Sequence, residues 1–211
     1  MHLTNRLFWE YCQNKYKRYF LWKGNDILEV GSYDVNGSVR DYFTNYEKYI
    51  GIDWRPGPGV DLVCFAHEMK FSNQFDTIIS ASMLEHDQYW KRSISTMVKN
   101  LKEDGILLLS WGAALNHEHD LEQADDGGFH PLPAGYVINL LQRLKIYVHE
   151  FRYEGNQFRK YVRKKYKSIN HGHEGMGEVC LVAFKDKRFA IGKRCIDRLL
   201  PEDNVFGIKT F

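Results

Sequence analysis

Asp26-Ile-Leu-Glu-Val-Gly-Ser-Tyr-Asp-Val-Asn-Gly-Ser38 decides how this chain is read. The apolar run Ile27–Val30 is broken only by Glu29 and ends at Gly31, where the missing Cβ lets the backbone turn sharply. A strand, a glycine-containing loop and a helix start follow from that order. Ser38-Val39-Arg40-Asp41 has the spacing of a capping box and predicts a helix from there. Free amides at that start would face the loop and receive an anion. Gly31, Ser32, Tyr33 and Gly37 are the loop positions whose backbone would lie against such a ligand. Glu29 would meet an ammonium group, directly or through water.

Working outward, Tyr49-Ile-Gly-Ile-Asp53 is the next apolar run, and it too ends in an acid, with Trp54 directly after it. Asp53 stands where an acid accepts hydrogen bonds from ribose hydroxyls. Trp54 offers a flat face for adenine. On its own Asp53 reads more often than not as a surface residue opening the turn at Pro56-Gly57-Pro58-Gly59; Glu29, the loop and Trp54 tip the reading to a ligand. Acids at the tips of two successive strands suit a cationic ligand that carries a ribose, and suit a pyrophosphate poorly. The dinucleotide pattern G-x-G-x-x-G fails here, because Ser32 and Tyr33 follow Gly31. A dehydrogenase is therefore disfavoured.

The chain has 211 residues, a length that fits one domain with a full core. Hydrophobic content of 44% and charged content of 27% are ordinary for a globular protein. A formal charge of +2 implies no general attraction to nucleic acid. Cys12, Cys64, Cys180 and Cys195 are scattered and form no C-x-x-C pair, which fits free thiols in a reducing compartment. No apolar run approaches a membrane span and the first residues lack a signal-peptide core, so the expectation is a cytoplasmic protein without membrane partners.

Leu3, Leu7, Phe8 and Tyr11 recur at helical spacing and predict an opening amphipathic helix that ends in the basic, aromatic Lys15–Tyr19. Strands are predicted at Ile27–Val30, Tyr49–Asp53, Asp61–Cys64 and Asp76–Ser80. Trp90, Ile94, Met97, Val98 and Leu101 mark one face of a helix, Asp104-Gly105 a turn, and Ile106–Ser110 a strand buried on both faces. Tyr136, Val137, Leu140, Leu141 and Leu144 mark a further helix, followed by strands near Ile146–Tyr153 and at Val179–Phe184. Such alternation predicts an α/β sandwich with ligands at the carboxyl ends of its strands. One domain is expected over 1–211, with an N-terminal helix (1–23), two halves (24–115 and 116–186) and a C-terminal extension (187–211).

Four segments in order resemble the class I S-adenosylmethionine-dependent methyltransferases. They are Ile27-Leu-Glu-Val-Gly31, Tyr49-Ile-Gly-Ile-Asp53, Phe75-Asp-Thr-Ile-Ile-Ser-Ala-Ser-Met-Leu-Glu-His86 and Leu101-Lys-Glu-Asp-Gly-Ile-Leu-Leu-Leu109. The last two are similar to the FD…LEH and LK-x-x-G patterns of the type 11 methyltransferases. The resemblance implies a Rossmann-like three-layer sandwich whose seven-stranded, mostly parallel sheet has its last strand inserted antiparallel. It implies S-adenosyl-L-methionine as cofactor. It also implies that Phe65, Ala66 and His67 cradle adenine and that the backbone of Ser80, Ala81 and Ser82 lies near the transferable methyl. Many family members carry an acid where Phe65 stands, and Phe65 cannot accept from the adenine amino group.

For a hydroxyl or amine acceptor the protein must align the nucleophile and remove a proton. His suits that task near neutrality, and His86, after the fourth strand, is the first candidate base. His117 and His130 follow the fifth strand and stand behind it. Asn116-His117-Glu118-His119-Asp120 could hold a divalent ion, but it lacks a helical His pair or a Cys and reads more simply as a solvated acidic loop, so no metal is assigned. Arg159-Lys160, Arg163-Lys164-Lys165 and Lys167 alternate with Phe158, Tyr161 and Tyr166, as a single-stranded nucleic-acid site would. A charge run of this kind is more often a solvated face. The expectation is methyl transfer to a small polar acceptor, such as a sugar or a sugar-containing metabolite. Two alternatives stand beside it: an RNA or DNA methyltransferase using 158–168, and a non-catalytic S-adenosylmethionine-binding protein. Oligomeric state is not legible.

Overall fold

The computed structural model describes residues 3–72, 74–112, 132–153 and 178–189. Helix α1 (Leu3–Lys15) and the short α2 (Lys17–Leu21) precede β1 (Asp26–Val30), β2 (Lys48–Asp53), β3 (Leu62–Val63) and β4 (Phe75–Ala81). Helix α3 (Trp90–Asn100), β5 (Leu101–Gly112), α4 (Ala134–Arg143), β6 (Tyr147–Tyr153) and β7 (Glu178–Phe184) follow. The seven strands form one sheet in the order β3-β2-β1-β4-β5-β7-β6. Neighbours from β3 to β5 are parallel, and β7 lies antiparallel between β5 and β6. This is the fold that the resemblance implied.

Strand periodicity places the layers. Ile106 and Leu108 of β5 face one side, where they pack with Ile27, Ile79 and with Phe8, Trp9, Cys12 and Phe20 of the first two helices. Leu107 and Leu109 face the other side and meet Leu28, Ile78, Ile94 and Met97 of α3 and Val137 and Leu141 of α4. A strand covered on both faces has no solvent side, which is why Ile106–Leu109 is apolar throughout. Burying each such side chain stabilises the fold by about 1.5–3 kcal/mol.

Three local expectations need correction. The N-terminal helix is two helices, because Tyr16 leaves helical geometry at φ −106°, ψ 43°. The helix expected from Ser38 is only the 3-10 turn Val39–Tyr42. Ser38 Oγ does accept from the Arg40 amide, at 3.1 Å. The turn ends because Phe43 extends to stack on Phe20, with ring centroids 4.2 Å apart. A turn that short has no appreciable dipole or row of free amides, so the expected anion site at its start is lost. Finally, Asp104-Gly105 is no inter-element turn. Strand β5 already begins at Leu101, opposite Phe75, and the ladder resumes at Thr77 opposite Ile106, so Lys102–Gly105 is extra chain accommodated as a bulge.

Candidate functional site

The carboxyl ends of β1 and β2 are tied together by backbone. Gly31 adopts φ +83°, and a Cβ there would lie 2.6 Å from Met83 Cβ, so glycine is required twice over. The amides of Gly31 and Ser32 donate to the Ile52 carbonyl at 2.9 and 3.0 Å. The Tyr33 amide donates to Asp53 Oδ2 at 3.2 Å, that of Asp34 to the Pro58 carbonyl, and that of Gly37 to Asp34 Oδ1. The loop amides expected to cradle an anion therefore already have protein partners.

Asp53 is half-buried, accepts also from the Arg55 amide at 3.3 Å, and has its pKa raised by burial against those two hydrogen bonds. A carboxylate has about four acceptor positions, so Asp53 keeps spare acceptor capacity beyond these two amides. Beside it lies an open cleft of about 640 Å³ lined by Trp54, Val63, Cys64, Phe65, His67 and Lys70. That volume falls in the range of small-molecule sites. Phe65 is exposed, and His67 packs its ring 4.4 Å from that of Tyr89, a neighbour not foreseen in the sequence. Ala66 turns inward onto the core. The cleft thus offers aromatic faces in Trp54 and Phe65.

Glu29 sits elsewhere. It is 4% exposed on the sheet face, and accepts from the Tyr49 hydroxyl at 2.7 Å. Arg40 lies over the Tyr49 ring at 4.4 Å and pairs with Asp61. Burial pushes the Glu29 carboxyl up to about 7, although the Tyr49 hydrogen bond and the nearby Arg40 pull it down. Glu29 belongs to a buried network under the loop.

Around the end of β4, Ser80 is fully buried in the sheet and Ala81 is half-buried. Ser82 is exposed and held at φ +52°, its amide donating to the Ser110 carbonyl at 2.8 Å. A serine at positive φ is uncommon, and here both its amide and hydroxyl are engaged. The 3-10 turn Leu84–His86 follows and brings half-buried His86 to this same edge. Glu85 on that turn and Asn5 on α1 also reach it, neither of them singled out by the sequence. His117, His130, the acidic loop and the basic segment lie outside the described residues.

The arrangement is the fold of the class I S-adenosylmethionine-dependent methyltransferases. Among solved structures, the chain is similar to Haemonchus contortus phosphoethanolamine N-methyltransferase 2 in complex with S-adenosyl-L-methionine, at TM-score 0.58 and 14% identity over 85% of this chain. It spans about half (53%) of the length of that enzyme. It is similar, too, to a Burkholderia thailandensis 1,6-didemethyltoxoflavin N1-methyltransferase with bound S-adenosylhomocysteine, at TM-score 0.58 and 12% identity, covering 84% of this chain and 76% of that one. A third similar structure is the [4+2]-cyclase SpnF, at TM-score 0.58 and 16% identity, covering 89% and 82%. No family model matches the sequence, and no curated protein does. Among the described residues no helix is long and apolar enough to cross a membrane.

Proposed function

We propose that this protein binds S-adenosyl-L-methionine and transfers its methyl group to a small polar acceptor. The observation that carries the reading is Asp53 at the tip of β2, beside the cleft between Trp54 and Phe65. When bound, the cofactor supplies a methyl group on a sulfonium that a nucleophile displaces in line. In this reading Asp53 holds the ribose hydroxyls, Trp54 and Phe65 cover the adenine, and His67 packs behind it. Gly31 to Tyr33 and Gly37 shape the wall, and the backbone from Ser80 to Ser82 borders the reacting end. His86 marks that end, and His117 and His130 remain candidate bases there by chain position. Cyclase activity on the same fold keeps a methyl-independent role as an alternative.

Asp53→Ala should weaken S-adenosylmethionine and S-adenosylhomocysteine binding about ten- to hundredfold, the loss expected when a charged acceptor is removed. Calorimetry on folded protein checks this, and undiminished affinity removes Asp53 from the ribose site. The variant also releases the Tyr33 and Arg55 amides, so Asp53→Asn, which keeps an acceptor, should fall between.

A sugar-sized acceptor also predicts that the basic segment Arg159–Lys167 is dispensable for the cofactor. Changing its Lys and Arg residues to Ser should alter cofactor affinity by no more than a few-fold. Tight, salt-sensitive binding of single-stranded RNA by the unaltered protein, lost in the variant, would favour the nucleic-acid reading instead.

A further inference from the structure

Resting on the methyl-transfer reading above, we infer that Asn5 of α1 is a positioning residue for the reacting end of the site: its side-chain amide holds Ser82 in a left-handed backbone, and through Ser82 it sets Met83 against Gly31. Asn5 is fully buried in the first turn of α1, 77 residues before Ser82 in the chain. Its Nδ2 donates to Ser82 Oγ at 3.0 Å and to Glu178 Oε1 at 2.8 Å. A carboxamide nitrogen carries two hydrogens, so both are used, one just past the end of β4 and one at the start of β7. Ser82 needs such a hold. Its φ of +52° lies in the left-handed region, which a residue with a Cβ occupies only at a cost. Two bonds offset that cost: the Ser82 amide donates to the Ser110 carbonyl at 2.8 Å, and its hydroxyl accepts from Asn5.

Met83 comes next, and its Cβ and Cγ lie 2.6 and 2.7 Å from where a Cβ on Gly31 would stand. The Met83 carbonyl also accepts from the His86 amide at 2.9 Å and so opens the Leu84–His86 turn. Asn5, Ser82, Met83 and Gly31 form a continuous line from α1 to the loop after β1, each step a hydrogen bond, a peptide bond or a close contact. A change at Asn5 therefore reaches the wall of that loop, although Asn5 does not line the cleft beside Asp53. Anchoring α1 does not require the amide. Phe8, Trp9 and Cys12 on that helix already pack with Ile27, Ile79 and Ile106 of the sheet. The amide also carries a cost, because Asn5 Oδ1 is buried with no hydrogen-bond partner. What it does, and an apolar side chain of the same shape could not, is donate to Ser82.

The test is a double-mutant cycle on the full chain, read by calorimetry with S-adenosylhomocysteine and by amide hydrogen exchange without it. Leucine has the branching of asparagine and no donor. Asn5→Leu should weaken S-adenosylhomocysteine binding by about tenfold or more in the protein that keeps Ser82. In a Ser82→Gly background the same change should cost about threefold or less, because glycine adopts the left-handed backbone unaided. Exchange of the Ser82 amide in the free protein should quicken by about tenfold or more in Asn5→Leu. A mere packing defect in α1 would give the same loss in both backgrounds. Should Asn5→Leu fail to fold, Asn5→Ala runs the same cycle. Undiminished affinity, an equal loss in both backgrounds, or unchanged exchange at Ser82 overturns the proposal. Failure of the unaltered protein to hold S-adenosylhomocysteine overturns the methyl-transfer reading instead, and the exchange measurement, made without ligand, tells the two apart.

Discussion

Stability is expected to fall as pH rises from about 4.5 to 7, because two buried carboxyl groups hold protons in the folded state that the unfolded chain releases. Glu29 and Glu85 are both pushed from an ordinary 4.5 up to about 7 by burial. Below pH 4.5 both states are protonated and the full stability is present. Between 4.5 and about 7 the unfolded chain ionises first, so the folded state loses ground, and above about 7 the loss levels off. The interval corresponds to about 3 kcal/mol per carboxyl, a large share of the 5–15 kcal/mol typical of a domain. Urea midpoints should drop by about 1 M per group over that range. Glu29→Gln with Glu85→Gln should flatten the profile. A flat profile in the unaltered protein, or one that the double variant does not change, contradicts the burial argument.

Gly31→Ala is expected to cost about 2–4 kcal/mol, combining a left-handed backbone with an overpacked neighbour. The added Cβ would sit 2.6 and 2.7 Å from Cβ and Cγ of Met83, at a φ of +83°. Met83 immediately precedes the Leu84–His86 turn, so relief of the clash displaces the edge that carries Ser82 and Glu85. Pairing the change with Met83→Gly in a double-mutant cycle separates the two causes. The steric part, about 1–2 kcal/mol, should be recovered as coupling, and the backbone part should remain. Chemical denaturation of the four proteins measures it. A neutral Gly31→Ala would mean that the tight turn at the end of β1 does not form.

The strands were legible because each is a short apolar run closed by turn residues, and the parallel sheet because Ile106–Leu109 has no polar face. The acid at the end of β2 was legible for the same reason, since Asp53 closes its run. What local spacing could not reveal depends on contacts across the chain. The Ser38 capping box reads as a helix start, yet Phe43 finds Phe20 and the Arg40 side chain finds Tyr49 and Asp61, and these contacts hold the segment to one 3-10 turn. The hydrogen-bond partner of Glu29, Tyr49, lies on the adjacent strand, a pairing that local spacing does not reveal. Asn5 joins Ser82 and Glu178 across long stretches of sequence, a juxtaposition that only the inserted β7 creates.

Titration of the unaltered chain with S-adenosylmethionine, S-adenosylhomocysteine and NAD tests the central claim most directly. The account predicts saturable binding of the first two at one site, in mutual competition, with NAD bound at least a hundredfold more weakly. Absence of binding to either sulfur ligand, or a preference for NAD, would contradict it.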